Sequence, residues 1–206
     1  NVLKQPVHIL RGRYIDPVHK QLLDTGTTIP SYVHAAFGVD MDFSDEIRCV
    51  GLMHELEQPV QLAGVRRTHL LVRNQCVDPS TAPPGKSVVI STMPTEWSHW
   101  EGLADDQSAY EAEKERIAAF CREQIDQRYP GFGSKVEVVD VATPLTFVQY
   151  TGNWKGSYMT WLLDSDFMRA HRYVPKCIPG LDGFYLASMW THPPGGLPGA
   201  TLAGRE

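Results

Sequence analysis

The apolar positions of this chain fall into two rhythms. Tyr14, Ile15, Val18, Leu22 and Leu23 recur at helical spacing, with Pro17 tolerable in a first turn and Gly26 as a stop, so 14–24 is predicted helical. Ser31–Val39 reads as a strand closed by Gly38, and Arg48–Leu56 and Arg67–Cys76 are further strand candidates. Ser87–Met93 is a β-branched strand ended by Pro94. The clearest helix covers about 107–129: Tyr110, Ile117, Cys121, Ile125 and Tyr129 share one face, with Ser108 and Glu111 as a capping box. Lys135–Val141 is a strand, Thr143-Pro144 opens a short helix over 144–150, Phe184–Ala187 is a short buried strand, and Leu197–Gly204 is a helix. The sum is an α+β fold, with a mostly antiparallel (mixed) sheet and flanking helices.

Composition narrows the class. At 206 residues the chain suits one large domain, or a domain with an extension. The net charge of −5, without a long run of one sign, speaks against a nucleic-acid partner. No run of 18 apolar residues is present, and the first residues lack the apolar core of a signal peptide. Cys49, Cys76, Cys121 and Cys177 form no CxxC pair and are expected to be free, buried thiols of a cytoplasmic protein. The eight histidines show no HxxH or HxxxH spacing, so no metal site is expected.

The glycine patterns exclude more than they offer. No GxGxxG occurs: Gly131-Phe132-Gly133 runs into Ser134-Lys135-Val136. Gly85-Lys86-Ser87 imitates the end of a phosphate loop, but Ser80 stands where the leading glycine is needed. Near the end, Gly195 and Gly196 permit close backbone approach, and a helix from Leu197 aims its free N–H groups at whatever lies in that turn. Tyr150, Trp154, Tyr158 and Trp161 either line an apolar pocket or are ordinary core aromatics. Trp97, His99 and Trp100 read as core or interface, and no serine–histidine–acid set can be drawn from spacing.

Four segments, in order, resemble the C-terminal half of the phytoene desaturase, carotenoid isomerase and retinol saturase group of FAD-dependent oxidoreductases. They are Asp78–Lys86; Thr143-Pro144 with Phe147, Tyr150–Asn153 and Gly156-Ser157; Ile178–Leu181 with Phe184–Ala187; and Trp190–Pro193 continuing through Gly195–Ala200 to Gly204-Arg205. The last two, adjacent and nearly complete, are the most specific; residues 1–77 match only through the strand at Tyr32–Val39. Ser188 and Pro194 stand where the family usually has glycine.

The resemblance implies a substrate-binding domain over 1–178 and, over 179–206, the returning C-terminal segment of an FAD-binding domain whose GxGxxG half is absent. It implies flavin contacts from Ala187, Ser188, Met189, Trp190, Gly195, Gly196, Leu197, Pro198 and Gly199, and substrate contacts from Tyr150, Trp154, Tyr158 and Trp161. The implied activity is oxidation, reduction or isomerisation of carbon–carbon double bonds in a polyene or similar apolar substrate, with FAD not held tightly by this chain alone. The alternative is a non-catalytic domain of the same ancestry that binds an apolar ligand or partner. Self-association through the exposed flavin-domain face is expected, as is a cytoplasmic or membrane-peripheral location.

Overall fold

The computed structural model describes residues 9–14, 16–46, 51–171, 174–192 and 195–205. By packing, the chain divides into two units: residues 31–146, and residues 1–30 together with 147–206.

Residues 31–146 form a five-stranded, wholly antiparallel sheet: β1 (Ser31–Val39), β2 (Gly51–Leu62), β3 (Val65–Asn74), β4 (Ser87–Thr95) and β5 (Val136–Ala142), in spatial order β2-β3-β4-β1-β5. The sheet is half-covered, and the alternation of the strands records it. Val33, Ala35, Phe37 and Val39 of β1 are buried, while Tyr32, His34, Ala36 and Gly38 between them are only half-buried. The covering layer comprises three helices, α2 (Trp97–Glu101), α3 (Gln107–Arg128) and α4 (Phe132–Lys135). They bring Trp100, Ile117, Cys121, Ile125 and Phe132 into the core beside β1, β3 and β4. The shared face expected for α3 is thereby realised: Ile117, Cys121 and Ile125 are buried, and Tyr110 and Tyr129 pack at its ends.

Several expectations are corrected. The α3 cap is Asp106, whose carboxylate accepts from Ala109 N at 3.0 Å, and not Ser108. Glu111 instead accepts from Gln107 at 2.9 Å and pairs with Lys114 at 3.2 Å. β4 does not end at Pro94 but runs through it to Thr95. Pro94 lies beyond Thr92, the last β4 residue paired with β3, so its missing N–H breaks no bond on that side. Its carbonyl accepts from the buried Arg67 guanidinium. β2 extends to Leu62, past the Leu56 expected, through exposed Pro59 on an edge strand, with a register shift between Glu55 and Val60. Residues 47–50, the start of the predicted strand, lie outside the described residues, as do Cys49 and Ile15. β2 and β3 join through Ala63 and Gly64, both at positive φ, a two-residue hairpin turn. A Cβ on Gly64 would meet His99 Cβ at 2.7 Å, so only glycine fits beneath α2.

Residues 1–30 with 147–206 hold a smaller core: Leu22, Trp161, Phe167, Val174, Ile178, Leu186 and Trp190. Its first helix, α1 (Pro17–Thr25), starts at the proline, with Asp16 accepting from Val18 N and His19 N at 2.8 and 3.2 Å. Tyr14, the first residue of the predicted run, precedes it at φ 58°, so the helix starts at Pro17 rather than at 14. The helix Pro144–Thr151 opens behind Thr143 as the sequence implies. Phe184–Ala187 is not a strand: it makes one isolated bridge, Cys177 to Tyr185, and Tyr185 is 71% exposed. With one bridging residue there is no ladder to extend. The thiols differ too: Cys121 is buried and its pKa is pushed up to about 12 by that burial, Cys76 is half-buried, and Cys177 is exposed, against the expectation that all are buried.

Candidate functional site at the C-terminal turn

The C-terminal stretch is a series of short, side-chain-locked turns. Ser188 is buried, and its Oγ accepts from Trp190 N at 3.1 Å, starting a 3₁₀ turn over Met189–Thr191. Thr191 Oγ1 donates back to Leu186 O and Ser188 O at 3.2 and 2.9 Å. Trp190 is buried; its Nε1 donates to Asn153 Oδ1 at 3.3 Å, and its ring meets Trp161 edge-on at a centroid distance of 5.0 Å. Trp161 is anchored in turn by the bridge to Thr28. Ala187 is exposed and Met189 half-buried.

After the turn, whose residues 193–194 are not described, Gly195 and Gly196 take φ of 87° and 68°. A Cβ on Gly195 would stand 2.9 Å from Thr160 Cγ2, and one on Gly199 2.6 Å from His192 O. The helix Gly196–Arg205 then begins. Its first turn offers backbone N–H groups from Gly196 and Leu197, while Pro198 has none to give. Leu197 is 85% exposed, Pro198 is exposed and Gly199 is buried.

Three buried polar atoms in this unit lack a partner among the described residues: Thr160 Oγ1, Trp161 Nε1 and His192 Nδ1. Thr160 and His192 flank the glycine turn, the first through Gly195 and the second through Gly199. Buried donors and acceptors are normally satisfied, so among the described residues this turn has hydrogen-bonding capacity to spare. The glycines are legible in the sequence; Thr160 is not, because nothing in its spacing marks it. A Cβ-free turn, a helix N-terminus and unspent polar atoms are features that suit the edge of a polar, planar ring system.

The four aromatic residues expected at the substrate do not converge. Trp154 and Trp161 join the small core, with Lys155 Nζ 5.7 Å from the Trp154 ring centroid. Tyr150 is 80% exposed and Tyr158 41%. Cavities of about 300 and 270 Å³ lie among the described residues; one abuts Leu22, Asp164 and Phe167, the other Cys76 and the Asp78–Lys86 loop. Neither of these two is lined by a residue expected at the flavin or the substrate. Among the described residues no three metal-ligating side chains gather, and no helix is long and apolar enough to cross a membrane.

A model of the flavin containing amine oxidoreductases matches residues 30–206, so the chain belongs to that family of FAD-dependent oxidoreductases. More particularly, it is similar to the chloroplastic prolycopene isomerase of Arabidopsis thaliana, with 31% identity over 83 residues. That alignment covers 40% of this chain but only 14% of the isomerase. The resemblance to the carotenoid isomerase and desaturase group is thereby shown.

Proposed function

We propose that these residues supply the substrate-binding sheet and the C-terminal flavin-contacting segment of an FAD-dependent enzyme acting on carbon–carbon double bonds of a polyene. The observation that carries this reading is the turn Gly195–Gly196 with its helix, lying inside a family match that runs to residue 206. When bound, the flavin would supply electron acceptance and return. The chain's part is placement. Gly195 and Gly199 let Thr160 and His192 pack against the turn, Gly196, with no atom nearer than 3.7 Å to where a Cβ would stand, would admit the ring edge, and the N–H groups of Gly196 and Leu197 would favour negative charge on it. Thr160 and His192 offer further hydrogen bonds. Ser188 spends its hydroxyl on Trp190 N, so its extra bulk is held by the fold rather than turned on the cofactor. In this reading residues 1–178 serve the substrate, and 179–206 belong to a flavin domain whose GxGxxG half is not in these residues.

Two measurements test it. The purified chain should carry no stoichiometric flavin absorbance near the visible maximum, because the phosphate cradle is missing; a yellow protein overturns the division of labour. The same chain should shift the absorption of an added carotenoid to longer wavelength, saturably. An unchanged spectrum removes the polyene. Tyr185 and Leu197, both largely exposed, support association of the chain with itself, and sedimentation as a clean monomer would count against that.

A non-catalytic apolar-ligand domain remains the second reading. Ser188 and Pro194, in positions usually glycine in the family, favour it. It is distinguished by carotenoid binding that persists without any flavin-dependent reaction when the GxGxxG half is supplied.

A further inference from the structure

The helices of the sheet unit put Trp100, Ile117, Cys121, Ile125 and Phe132 on one face only, and the buried strand residues all point to it. The opposite face is read from the register. One row across the sheet is Met53, Leu71, Thr92, His34, Ala142; the next is Gly51, Arg73, Ile90, Ala36, Asp140; a third is Val88, Gly38, Val138. The face is apolar at Met53, Leu71, Val88, Ile90, Ala36 and Val138. At its ends Met53 and Val138 are 58% and 64% exposed.

Its polar groups are few and directional. His34 Nδ1 lies 3.3 Å from Thr92 Oγ1. Arg73, exposed and on the neighbouring row, is close enough to act electrostatically on His34. Among the described residues Arg73 has no carboxylate partner. Burial first, and then the Arg73 charge, hold the His34 imidazole below its ordinary pKa. The other titratable groups of this face stand at its margins: Glu55 and His69 opposite one another on β2 and β3, Asp140 on β5, and Tyr32 beside His34. A cation without an acid thus sits at one side of an apolar floor, and Asp140 at the other, three strand spacings or about 14 Å away. An anionic end is drawn to Arg73 and repelled at Asp140, which orients an extended chain across the strands.

We propose that this face binds an extended apolar chain ending in a carboxylate, with the carboxylate held by Arg73 and the His34–Thr92 pair. The proposal rests on reading the sheet as the substrate wall, but not on the flavin. It narrows the substrate class to an oxidised, acid-bearing chain.

The test uses the whole chain, flavin-free, with a dansyl-labelled undecanoic acid and its methyl ester as fluorescent probes. The acid should bind saturably and about tenfold more tightly than the ester, the value of one charge-assisted contact. Arg73→Gln should abolish that preference while leaving ester binding unchanged, and Arg66→Gln, exposed in the hairpin, should change neither. The His34 ring, followed by NMR, should titrate at higher pH with the acid bound than with the ester. Equal binding of acid and ester, a preference that survives Arg73→Gln, or no saturable binding of either probe overturns the proposal. Acid binding without a carotenoid shift would sink the polyene reading alone; a carotenoid shift without acid preference would sink this one alone.

Discussion

Residues 31–146 carry ten basic and eighteen acidic side chains, a balance of −8; residues 1–30 with 147–206 carry nine and six, a balance of +3. The acidic unit is a sheet with one long helix and a core of eighteen buried apolar residues; the basic one is turns and short helices around seven. Of thirteen large apolar side chains exposed among the described residues, nine lie in the basic unit, which therefore leaves more of its apolar surface unspent. Regular elements bury apolar area through periodic patterns, and the sheet unit is held that way. Where the chain must shape itself around glycine turns, it relies instead on a few tryptophans and on hydroxyl-to-backbone bonds.

That contrast can be broken. The largest effect is expected from Trp161→Ala, which empties the centre of the small core and should cost about 3–5 kcal/mol. Urea unfolding followed by near- and far-ultraviolet circular dichroism should then show residues 1–30 and 147–206 melting ahead of the sheet. A single shared transition, shifted as a whole, would erase the distinction between the units. Next, Gly195→Ala forces a left-handed backbone on alanine and meets Thr160 at 2.9 Å, whereas Gly85→Ala, in the sheet unit, carries the same positive φ with nothing within 4 Å. The first should lose about 2 kcal/mol and the second about 1. Equal losses would mean that the glycine turn is not close-packed.

Smaller still, Asp106→Ala removes the cap of the long helix and should lower the sheet unit's stability by about 1 kcal/mol, read from its urea midpoint. Ser108→Ala should do nothing comparable. The weakest lever is pH. Burial holds the His19 imidazole below its ordinary pKa, against the opposing pull of Asp16 and of Pro175 O, to which Nε2–H donates at 2.9 Å. The unfolded chain takes up a proton near pH 6.5 and the folded one does not. Stability of this unit is therefore full above that value and declines as pH falls below it. His19→Gln should flatten that slope between pH 7 and 5; an unchanged slope would place its cause elsewhere.

The same contrast governs what could be read in advance. The long helix was legible because Ile117, Cys121 and Ile125 repeat at four-residue intervals and one side must face a core. β1, β3 and β4 were legible as β-branched or apolar runs. β2 is read short because an edge strand has one unpaired side, so Glu57, Gln58 and Pro59 cost it nothing and look like loop. The capping box at Ser108 was a genuine pattern outcompeted by Asp106 one turn-step earlier. In the other unit the glycine turn and the last helix were legible from composition. Phe184–Ala187 was not, because an apolar run becomes a strand only where a neighbour offers a ladder. Thr160 meets the turn through space, and no spacing along the chain encodes that.

One arrangement bears on how the molecule is made. The sheet unit is a single uninterrupted stretch, while the other unit is assembled from segments on either side of it. During synthesis, residues 31–146 leave the ribosome complete and can close their sheet at once. The helix Pro17–Thr25 must wait, its apolar side uncovered, for Trp161, Phe167 and Trp190 to follow more than a hundred residues later. The early helix is thus the part of the nascent chain with most to gain from a chaperone, and the last part to learn its structure.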